Sequence, residues 1–556
     1  MNRKALIPGL IIVIVVVFVA GIALVMVSGG ENGADSGVIA LQASREQNEQ
    51  VPAAPLDFAE SEADEALNAP GQPVGSAGIM ATAPAIQQGQ QSAAATPSPA
   101  GTPQDMSFED YGVNPFLDTQ DDHLSTFAMD VDTASYTLTR NYLMQQGQLP
   151  PSDAVRPEEF INYFETDYAA PEDEAFAIHL DAVSAPFGYD GHYLLRVGIQ
   201  GQVIAPEDRT PAFLIFVIDV SGSMDMENRL GLVKESLALL VDELREDDRV
   251  AIAVYSDNSR VVLDATPASE KRTIMNAINA LRPEGSTNVD AGLRLGYDLA
   301  LENKREGELT RVIVLSDGVA NVDVTSPDGI LKNINEGVES GVVLSTIGFG
   351  MGNYNDVLME QLADKGNGNY YYIDNLRQAR EIFVYSLTGT LQVIGYDAKV
   401  QVDFNPEVTD RYRLIGYENR AIADQDFRND DVDAGEVGAG HSITALYEVA
   451  LDDGDYAAAD TVATVYIRYQ DADTREVVEL NQSLSAGDLH ESIDDMPQSL
   501  RLHAAAAEFA ELLRESFWAE DGNYVDLLTF AAPLEQAYPD NEQVGEFVEM
   551  VRAAGR

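Results

Sequence analysis

The sequence predicts an α/β protein whose doubly wound, mostly parallel sheet is inserted between two β-rich flanks and followed by a helical carboxyl-terminal segment. Between about residues 211 and 390, continuous apolar runs alternate with stretches of helical periodicity, and this alternation indicates a parallel sheet. On both sides of this unit, short segments show the apolar and polar alternation of strands. Because strand signals return after the central unit, we expect both flanks to contribute to one sandwich.

The central unit opens with the apolar run Ala212 to Asp219, which is typical of a parallel strand buried on both faces. Further strands are predicted at Val250 to Tyr255, Arg311 to Leu315 and Val342 to Ile347. Helices are predicted at Leu230 to Leu244, Glu270 to Leu281, Val289 to Leu301, Leu331 to Val338 and Asp356 to Ala363. This order predicts a sheet with helices on both faces.

The flanks contain the remaining strand signals. The predicted strands are Ser125 to Val131, Ala175 to Ala182, His192 to Ile199, Ala398 to Phe404, Tyr412 to Tyr417, Ser442 to Val449, Thr461 to Tyr469 and Glu476 to Leu480. A helix is predicted around Arg156 to Phe164, and another is predicted from the spacing of Leu502, Phe509, Leu512, Leu513 and Phe517. The predicted divisions are residues 1–28, 29–106, 107–210, 211–390, 391–490 and 491–556.

The first 106 residues predict a membrane anchor and a tether. Ala5 to Val27 carries no charge and is long enough to cross a hydrocarbon layer about 30 Å thick. Arg3 and Lys4 precede it, which predicts a cytoplasmic amino terminus and an extracytoplasmic main part, either periplasmic or at the cell surface. A cleaved signal peptide is the alternative. Residues 29–106 are rich in Ala, Gln, Gly, Pro and Ser and predict a disordered linker.

Charge and cysteine content exclude several classes of function. The net charge is −58, with 92 acidic and 34 basic residues, so a nucleic-acid backbone would be repelled. The chain has no cysteine, which excludes disulfides, thiolate metal sites and cysteine nucleophiles. An acidic, lysine-poor surface is also expected where salt screens self-repulsion, and we hypothesise a saline habitat; an acidic protein of an ordinary periplasm or cell surface is the alternative.

Oxygen-bearing side chains follow the predicted central strands. Asp219, Ser221 and Ser223 lie at the end of the first strand, Thr287 lies in a loop before a helix, and Asp317 ends another strand. Ligands of such sheets bind at the carboxyl ends of the strands, so we expect these residues to converge. Carboxylates and hydroxyls suit a hard cation such as Mg²⁺, with Mn²⁺ or Ca²⁺ as alternatives. Open coordination positions would admit a carboxylate from a partner protein.

These five positions resemble the metal-ion-dependent adhesion site of the von Willebrand factor type A (vWA) family, which has the pattern D-x-S-x-S, then Thr, then Asp. The resemblance implies that Asp219, Ser221, Ser223, Thr287 and Asp317 coordinate the metal directly or through water. It extends to bacterial membrane-anchored vWA proteins with characteristic flanks. The segments that carry this wider similarity are Asp130 to Tyr136, Leu149 to Phe164, Gly348 to Asp356, Tyr412 to Arg420 and Asp433 to Ser442.

We therefore expect a metal-dependent binding or adhesion module that is not an enzyme. A hydrolase would need a nucleophile elbow, and the residues around Ser221 lack its glycine pattern. A scaffold acting with an AAA+ ATPase is the alternative, which the outward topology disfavours because ATP is cytoplasmic. The acidic run after Asn429 fails the calcium-loop pattern at Ala434 and Gly440. Asp225 and Glu227 are interpreted as first-turn acids of the following helix.

Overall fold

The computed structural model describes residues 108–556, except 165, 227–228, 319–328, 331, 333–336, 351–353, 433, 453 and 455. The predicted anchor Ala5 to Val27, the linker 29–106 and most of the predicted helix Leu331 to Val338 lie outside the described residues. In the described part of the chain, no helix combines the length and the apolar character needed to cross a membrane.

The described strands and helices have the following bounds. The strands are β1 Leu117–Asp118, β2 Leu124–Ala128, β3 Phe176–Ser184, β4 Tyr193–Gly201, β5 Ala212–Asp219, β6 Arg249–Tyr255, β7 Ser259–Pro267, β8 Leu309–Ser316, β9 Val343–Phe349, β10 Tyr370–Ile373, β11 Val393–Phe404, β12 Thr409–Ile415, β13 Gly435–Gly438, β14 Ser442–Leu451, β15 Thr461–Asp471, β16 Val477–Ser485 and β17 Leu489–His490. The helices are α1 Ala134–Asn141, α2 Pro157–Ile161, α3 Leu230–Glu243, α4 Lys271–Ala280, α5 Val289–Asn303, α6 Asp356–Asp364, α7 Leu376–Arg380, α8 Leu387–Leu391, α9 Gln498–Leu513, α10 Tyr524–Ala531, α11 Leu534–Ala537 and α12 Glu542–Ala554.

The central sheet has the strand order β10-β9-β8-β5-β6-β7 and is parallel except for β7. Alternate residues of β5 contact opposite layers: Phe216 packs with α3 and α4, whereas Ile215 packs with α5 and α6. Helices therefore cover both faces, and the predicted doubly wound sheet is confirmed. Strand β7 was not predicted. It is an antiparallel edge strand in which no side chain is fully buried, so it lacks a buried apolar run.

The flanks form a sandwich whose two sheets each combine strands from before and after the central unit. One sheet has the order β1-β12-β14-β4-β3-β17, and the other has the order β13-β11-β15-β16 with β2 paired to β11. Aromatic side chains join the sheets, with ring centroids of Phe176 and Tyr469 4.7 Å apart and those of Phe404 and Tyr412 4.1 Å apart. The predicted sandwich from both flanks is confirmed.

The two ends of the central unit are held together at its base. The Thr210 amide donates to Gln392 Oε1 at 2.9 Å, and the Leu309 amide donates to the Pro211 carbonyl at 2.9 Å. Gln392 also accepts at its backbone oxygen from the Ala439 amide at 2.8 Å. The chain therefore leaves the sandwich after β4 and returns to it at β11 through one closed junction.

Helices α1 and α2 from the first flank pack with α9, α10 and α12 from the carboxyl terminus. Phe160, Phe509 and Phe547 belong to the buried cluster that they share. The predicted carboxyl-terminal helical segment is confirmed, but the expectation for Phe517 is wrong. Helix α9 ends at Leu513, and Phe517 lies in a later 3₁₀ turn with 67% of its surface exposed.

A buried arginine connects these helices to the central unit. Arg140 of α1 donates from Nε and Nη2 to the two carboxylate oxygens of Asp374, at 2.9 and 2.5 Å. Its Nη1 donates to Tyr163 at 2.6 Å and to Glu546 of α12 at 3.2 Å. Arg140 and Asp374 are almost fully buried. One guanidinium thus joins the first flank, the central unit and the carboxyl-terminal helices.

We expect Arg140→Met to lower the free energy of unfolding by about 3–5 kcal/mol, because it leaves the buried Asp374 carboxylate without its counter-charge. Asp374→Asn in the same background should recover part of this loss. Chemical denaturation of the wild type, both single variants and the double variant measures the coupling. Strictly additive single effects would contradict the pairing.

Glu158 of α2 is a buried carboxyl group that accepts few hydrogen bonds. Its Oε2 accepts from the Tyr417 amide at 3.0 Å, while its Oε1 has no hydrogen-bond partner among the described residues. Burial first, then the nearby Glu418 and Glu159 carboxylates, raises the pKa of Glu158 to about 8. The folded protein therefore keeps a proton here over a pH range in which the unfolded chain has released it.

Stability contributed by the Glu158 proton is present at low pH and is lost as the pH rises from about 4.5 to about 8. Glu158→Gln mimics the protonated form. We expect this variant to exceed the wild type in free energy of unfolding by at least about 1 kcal/mol at pH 8 and to match it near pH 5. The exposed Glu172→Gln is the control, and parallel pH profiles for all three proteins would refute the assignment.

Candidate metal centre

The D-x-S-x-S segment forms a tight loop at the carboxyl end of β5. The Ser221 amide donates to Asp219 Oδ1 at 2.7 Å, and the Ser221 and Ser223 hydroxyl oxygens lie 2.9 Å apart. A 3₁₀ turn, Gly222–Asp225, follows. The loop therefore gathers one carboxylate and two hydroxyls where the strand ends.

The loop that carries Thr287 is hydrogen-bonded to this first loop. The Gly222 amide donates to the Gly285 carbonyl at 3.0 Å, and the Glu284 amide donates to the Val220 carbonyl at 2.5 Å. Asn288 caps α5 by accepting from the Ala291 amide at 3.0 Å. Thr287, with 2% of its surface exposed, lies between these two fixed points.

The fifth predicted ligand, Asp317, follows β8, which pairs directly with β5. Ser316 Oγ donates to Asp219 Oδ2 at 2.9 Å and accepts from the Gly318 amide at 3.0 Å. Asp317 lies between these two residues and is 1% exposed. Ser316 thus joins the Asp219 carboxylate to the turn that carries Asp317, a role that was not predicted from the sequence.

The five predicted residues therefore lie on three connected segments at the carboxyl edge of the sheet. Asp219, Ser221, Thr287 and Asp317 are buried, while Ser223 is partly exposed. Their donors are carboxylate and hydroxyl oxygens, which fit a hard divalent cation. No group of three or more His, Cys, Asp or Glu side chains is arranged for a metal within the described ranges. A cation held here would depend on hydroxyls and outside oxygens as well.

The charge of Asp219 is poorly compensated. Burial, and then the neighbouring Asp317 carboxylate, raises the pKa of Asp219 to about 7. Hydrogen bonds from Ser221 and Ser316 act in the opposite direction. A positive charge placed beside this buried carboxyl group would stabilise its ionised form.

Arg229 supplies a cation to this edge, and the sequence reading missed it. Its Nη1 hydrogen-bonds to Asp317 Oδ2 and donates to the Ser223 carbonyl at 3.1 Å. Arg229 and Asp317 are both almost fully buried. The only sequence signal for this role is a basic residue directly before α3, which does not distinguish a buried ion pair from a solvated side chain.

Gly350, just after β9, packs against the Arg229 side chain. A Cβ atom at Gly350 would lie 2.5 Å from Arg229 Nε and 2.6 Å from its Cγ, and the backbone φ there is +78°. The Gly350 carbonyl accepts from the Tyr372 hydroxyl at 2.7 Å. The guanidinium is therefore enclosed between the strand end and the Asp317 carboxylate.

The remaining polar and aromatic segments singled out in the sequence do not contribute to this site. Asp225 is exposed in the 3₁₀ turn before α3, so it is not a first-turn acid of that helix, and Glu227 lies outside the described residues. Tyr370 to Tyr372 form most of the buried strand β10. The described residues 430–432 of the acidic run after Asn429 form a turn, as expected, and β13 begins after it at Gly435.

Comparisons with known protein families divide the chain into nearly the same first flank, central unit and carboxyl-terminal part as the structure does. The von Willebrand factor type A domain profile matches residues 214–384, a von Willebrand factor profile matches 102–196, and the profile described as uncharacterized protein YfbK, C-terminal, matches 389–556. YfbK of Escherichia coli (strain K12) is 34% identical over 501 residues, which cover 86% of this chain and 85% of YfbK.

Two other similarities are more partial. Inter-alpha-trypsin inhibitor heavy chain H3 of Mesocricetus auratus is 27% identical over 42% of this chain and 25% of its own length. The solved structure of a von Willebrand factor type A protein from Catenulispora acidiphila gives a TM-score of 0.42 at 14% identity, covering 70% of this chain and 91% of that chain.

Replacing Gly350 by Ala tests the enclosure of Arg229. We expect Gly350→Ala to lower the free energy of unfolding by about 1–2 kcal/mol for its left-handed backbone, plus a further cost for displacing the guanidinium. Gly341→Ala is the matched control, because its φ is +80° and a Cβ there would meet nothing within 4 Å. Equal losses in chemical denaturation would show that contact with Arg229 contributes nothing.

Proposed function

Because this chain belongs to the family of Escherichia coli YfbK and its central unit is a vWA domain, we propose that it is a membrane-anchored protein that binds a partner through a divalent cation. The vWA domains generally bind a divalent metal and commonly mediate protein–protein interaction. The observation that carries the proposal is the convergence of the five predicted oxygen-bearing residues at one sheet edge. Turnover of a substrate is not expected.

Asp219, Ser221, Ser223, Thr287 and Asp317 would hold the ion, which we propose to be Mg²⁺. The carboxylates of Asp219 and Asp317 offset part of its charge, and the three hydroxyls add neutral donors. The ion supplies coordination positions at which a carboxylate of another protein can replace water. Ser223 is partly exposed, which supports approach of a partner from that side.

The overall charge supports a role for the cation in partner binding. At a net charge of −58, this chain repels an acidic partner wherever the two surfaces approach. A positive ion at the sheet edge reverses the sign of the local field.

We further propose that Ala5 to Val27 anchors the chain with its main part outside the cytoplasm, and that residues 29–106 serve as a tether.

Metal binding is tested on the purified full-length chain by isothermal titration with Mg²⁺ and Mn²⁺. We expect Asp219→Asn to weaken binding at least about tenfold, because it removes one of the two buried carboxylates. Asp225→Asn, the same change at an exposed position a few residues later, should bind as the wild type does. Equal affinity in all three proteins, or no binding by the wild type, would overturn the proposed site.

A further inference from the structure

A cavity of about 270 Å³ lies beside the amino-terminal end of α2. Arg156 and Glu158 line it from the first flank. Asn419 lines it from the turn after β12, and Arg514 lines it just after α9. None of the five predicted metal ligands lies in this wall. Because a water molecule takes only about 30 Å³, the cavity has room for a small organic molecule.

Two acceptor atoms in the wall have no hydrogen-bond partner among the described residues, Glu158 Oε1 and Asn419 Oδ1. The other polar atom of each side chain is already used. Glu158 Oε2 accepts from the Tyr417 amide at 3.0 Å, and Asn419 Nδ2 donates to Glu360 Oε1 at 2.8 Å. These bonds fix both side chains in place. A buried acceptor without a partner is costly, so a hydrogen-bond donor in the cavity would stabilise the wall.

Two donor atoms in the same wall also have no partner in the described part of the chain, Arg156 Nη2 and Arg514 Nε. The other nitrogens of Arg156 donate to Glu159 and, at 2.8 Å, to Asp356. The two terminal nitrogens of Arg514 donate to glutamate carboxylates. Both guanidinium groups are therefore held in position, and each has one donor to spare. A fitting ligand carries acceptors as well as donors.

The charge of the wall selects the sign of the ligand. The carboxyl groups that line the cavity are those of Glu109, Asp110, Asp153, Glu158 and Glu418. They outnumber the two arginines, which already pair with carboxylates. Burial, and then the Glu418 carboxylate, raises the pKa of Glu158. A positively charged group placed here would stabilise the ionised form of Glu158 and reduce the repulsion among its neighbours.

We propose that this cavity binds a free amino acid with a basic side chain, of the class of lysine, arginine and ornithine. The cationic groups of the ligand donate to Glu158 and Asn419, and its carboxylate accepts from Arg156 and Arg514, as guanidinium groups favour. A neutral or acidic amino acid brings no net positive charge to the acidic wall. A diamine brings no acceptor to the arginines. The site shares no residue with the proposed metal centre and does not require a cation there.

The test is isothermal titration of the full-length chain with L-lysine, L-arginine and L-ornithine. We expect at least one of them to bind with a Kd below about 1 mM. Its counterpart without the carboxylate, which is cadaverine, agmatine or putrescine respectively, should bind at least about tenfold more weakly because the arginine donors stay unpaired. L-Norleucine, which lacks the side-chain ammonium of lysine, and L-glutamate should not bind.

Variants locate the binding in this cavity. Glu158→Gln removes the carboxylate charge and should weaken binding at least about tenfold; it is expected to fold at least as stably as the wild type, so unfolding does not explain the loss. Arg514→Lys keeps a positive charge beside Glu418 but removes the Nε donor, and should weaken binding at least about threefold. Glu172→Gln, at an exposed position, and Asp219→Asn should bind as the wild type does.

Several outcomes would overturn the proposal. If none of the three basic amino acids binds, the cavity holds ordered water only. Equal affinity for L-norleucine or L-glutamate refutes selection by charge, and equal affinity for the amine refutes the role of the arginines. Unchanged binding by Glu158→Gln places the ligand elsewhere. Loss of binding in Asp219→Asn places it at the sheet edge, whereas loss of metal binding alone in that variant leaves this site intact.

Discussion

The hydrogen bond from the Thr210 amide to the Gln392 side chain closes the base of the central unit, and the rest of the architecture depends on that closure. Each sheet of the sandwich needs strands from both flanks. The flanks can pair only if the inserted unit starts and ends at the same place. A doubly wound sheet meets this condition here because β5 starts, and the segment after α8 ends, at the same edge.

The same sheet places the predicted metal ligands. The buried run of β5 fixes the position of Asp219, and its parallel neighbour β8 delivers Asp317 to the adjacent strand end. Two buried carboxylates at one edge repel each other. A hydrogen bond from the Ser316 hydroxyl stabilises Asp219, and the Arg229 guanidinium stabilises Asp317. The hydrogen bonds and the ion pair at this edge therefore offset part of the cost of burying the two carboxylates.

Much of this could be predicted from the sequence, because periodicity and a spaced motif are local signals. The long buried strands and the convergence of residues at strand ends follow from such signals. Ser316 and Arg229 could not be recognised in this way, since their roles arise from contacts across the fold. Strand β7 has no fully buried side chain, and Phe517 continued a helical spacing beyond the point where α9 stops. In both cases tertiary context overrides the local pattern.

Strand β5 also has a mechanical meaning. Its eight residues put Asp219 roughly 25 Å from the closed base. The base connects to β4 and β11, which belong to different sheets of the sandwich. A pull applied at the sheet edge would run lengthwise along β5 and β8, loading their hydrogen bonds in shear, and would then divide between the two sheets. If a partner is held at that edge, both sheets of the sandwich would share the force, and no single strand would have to separate from its neighbours first.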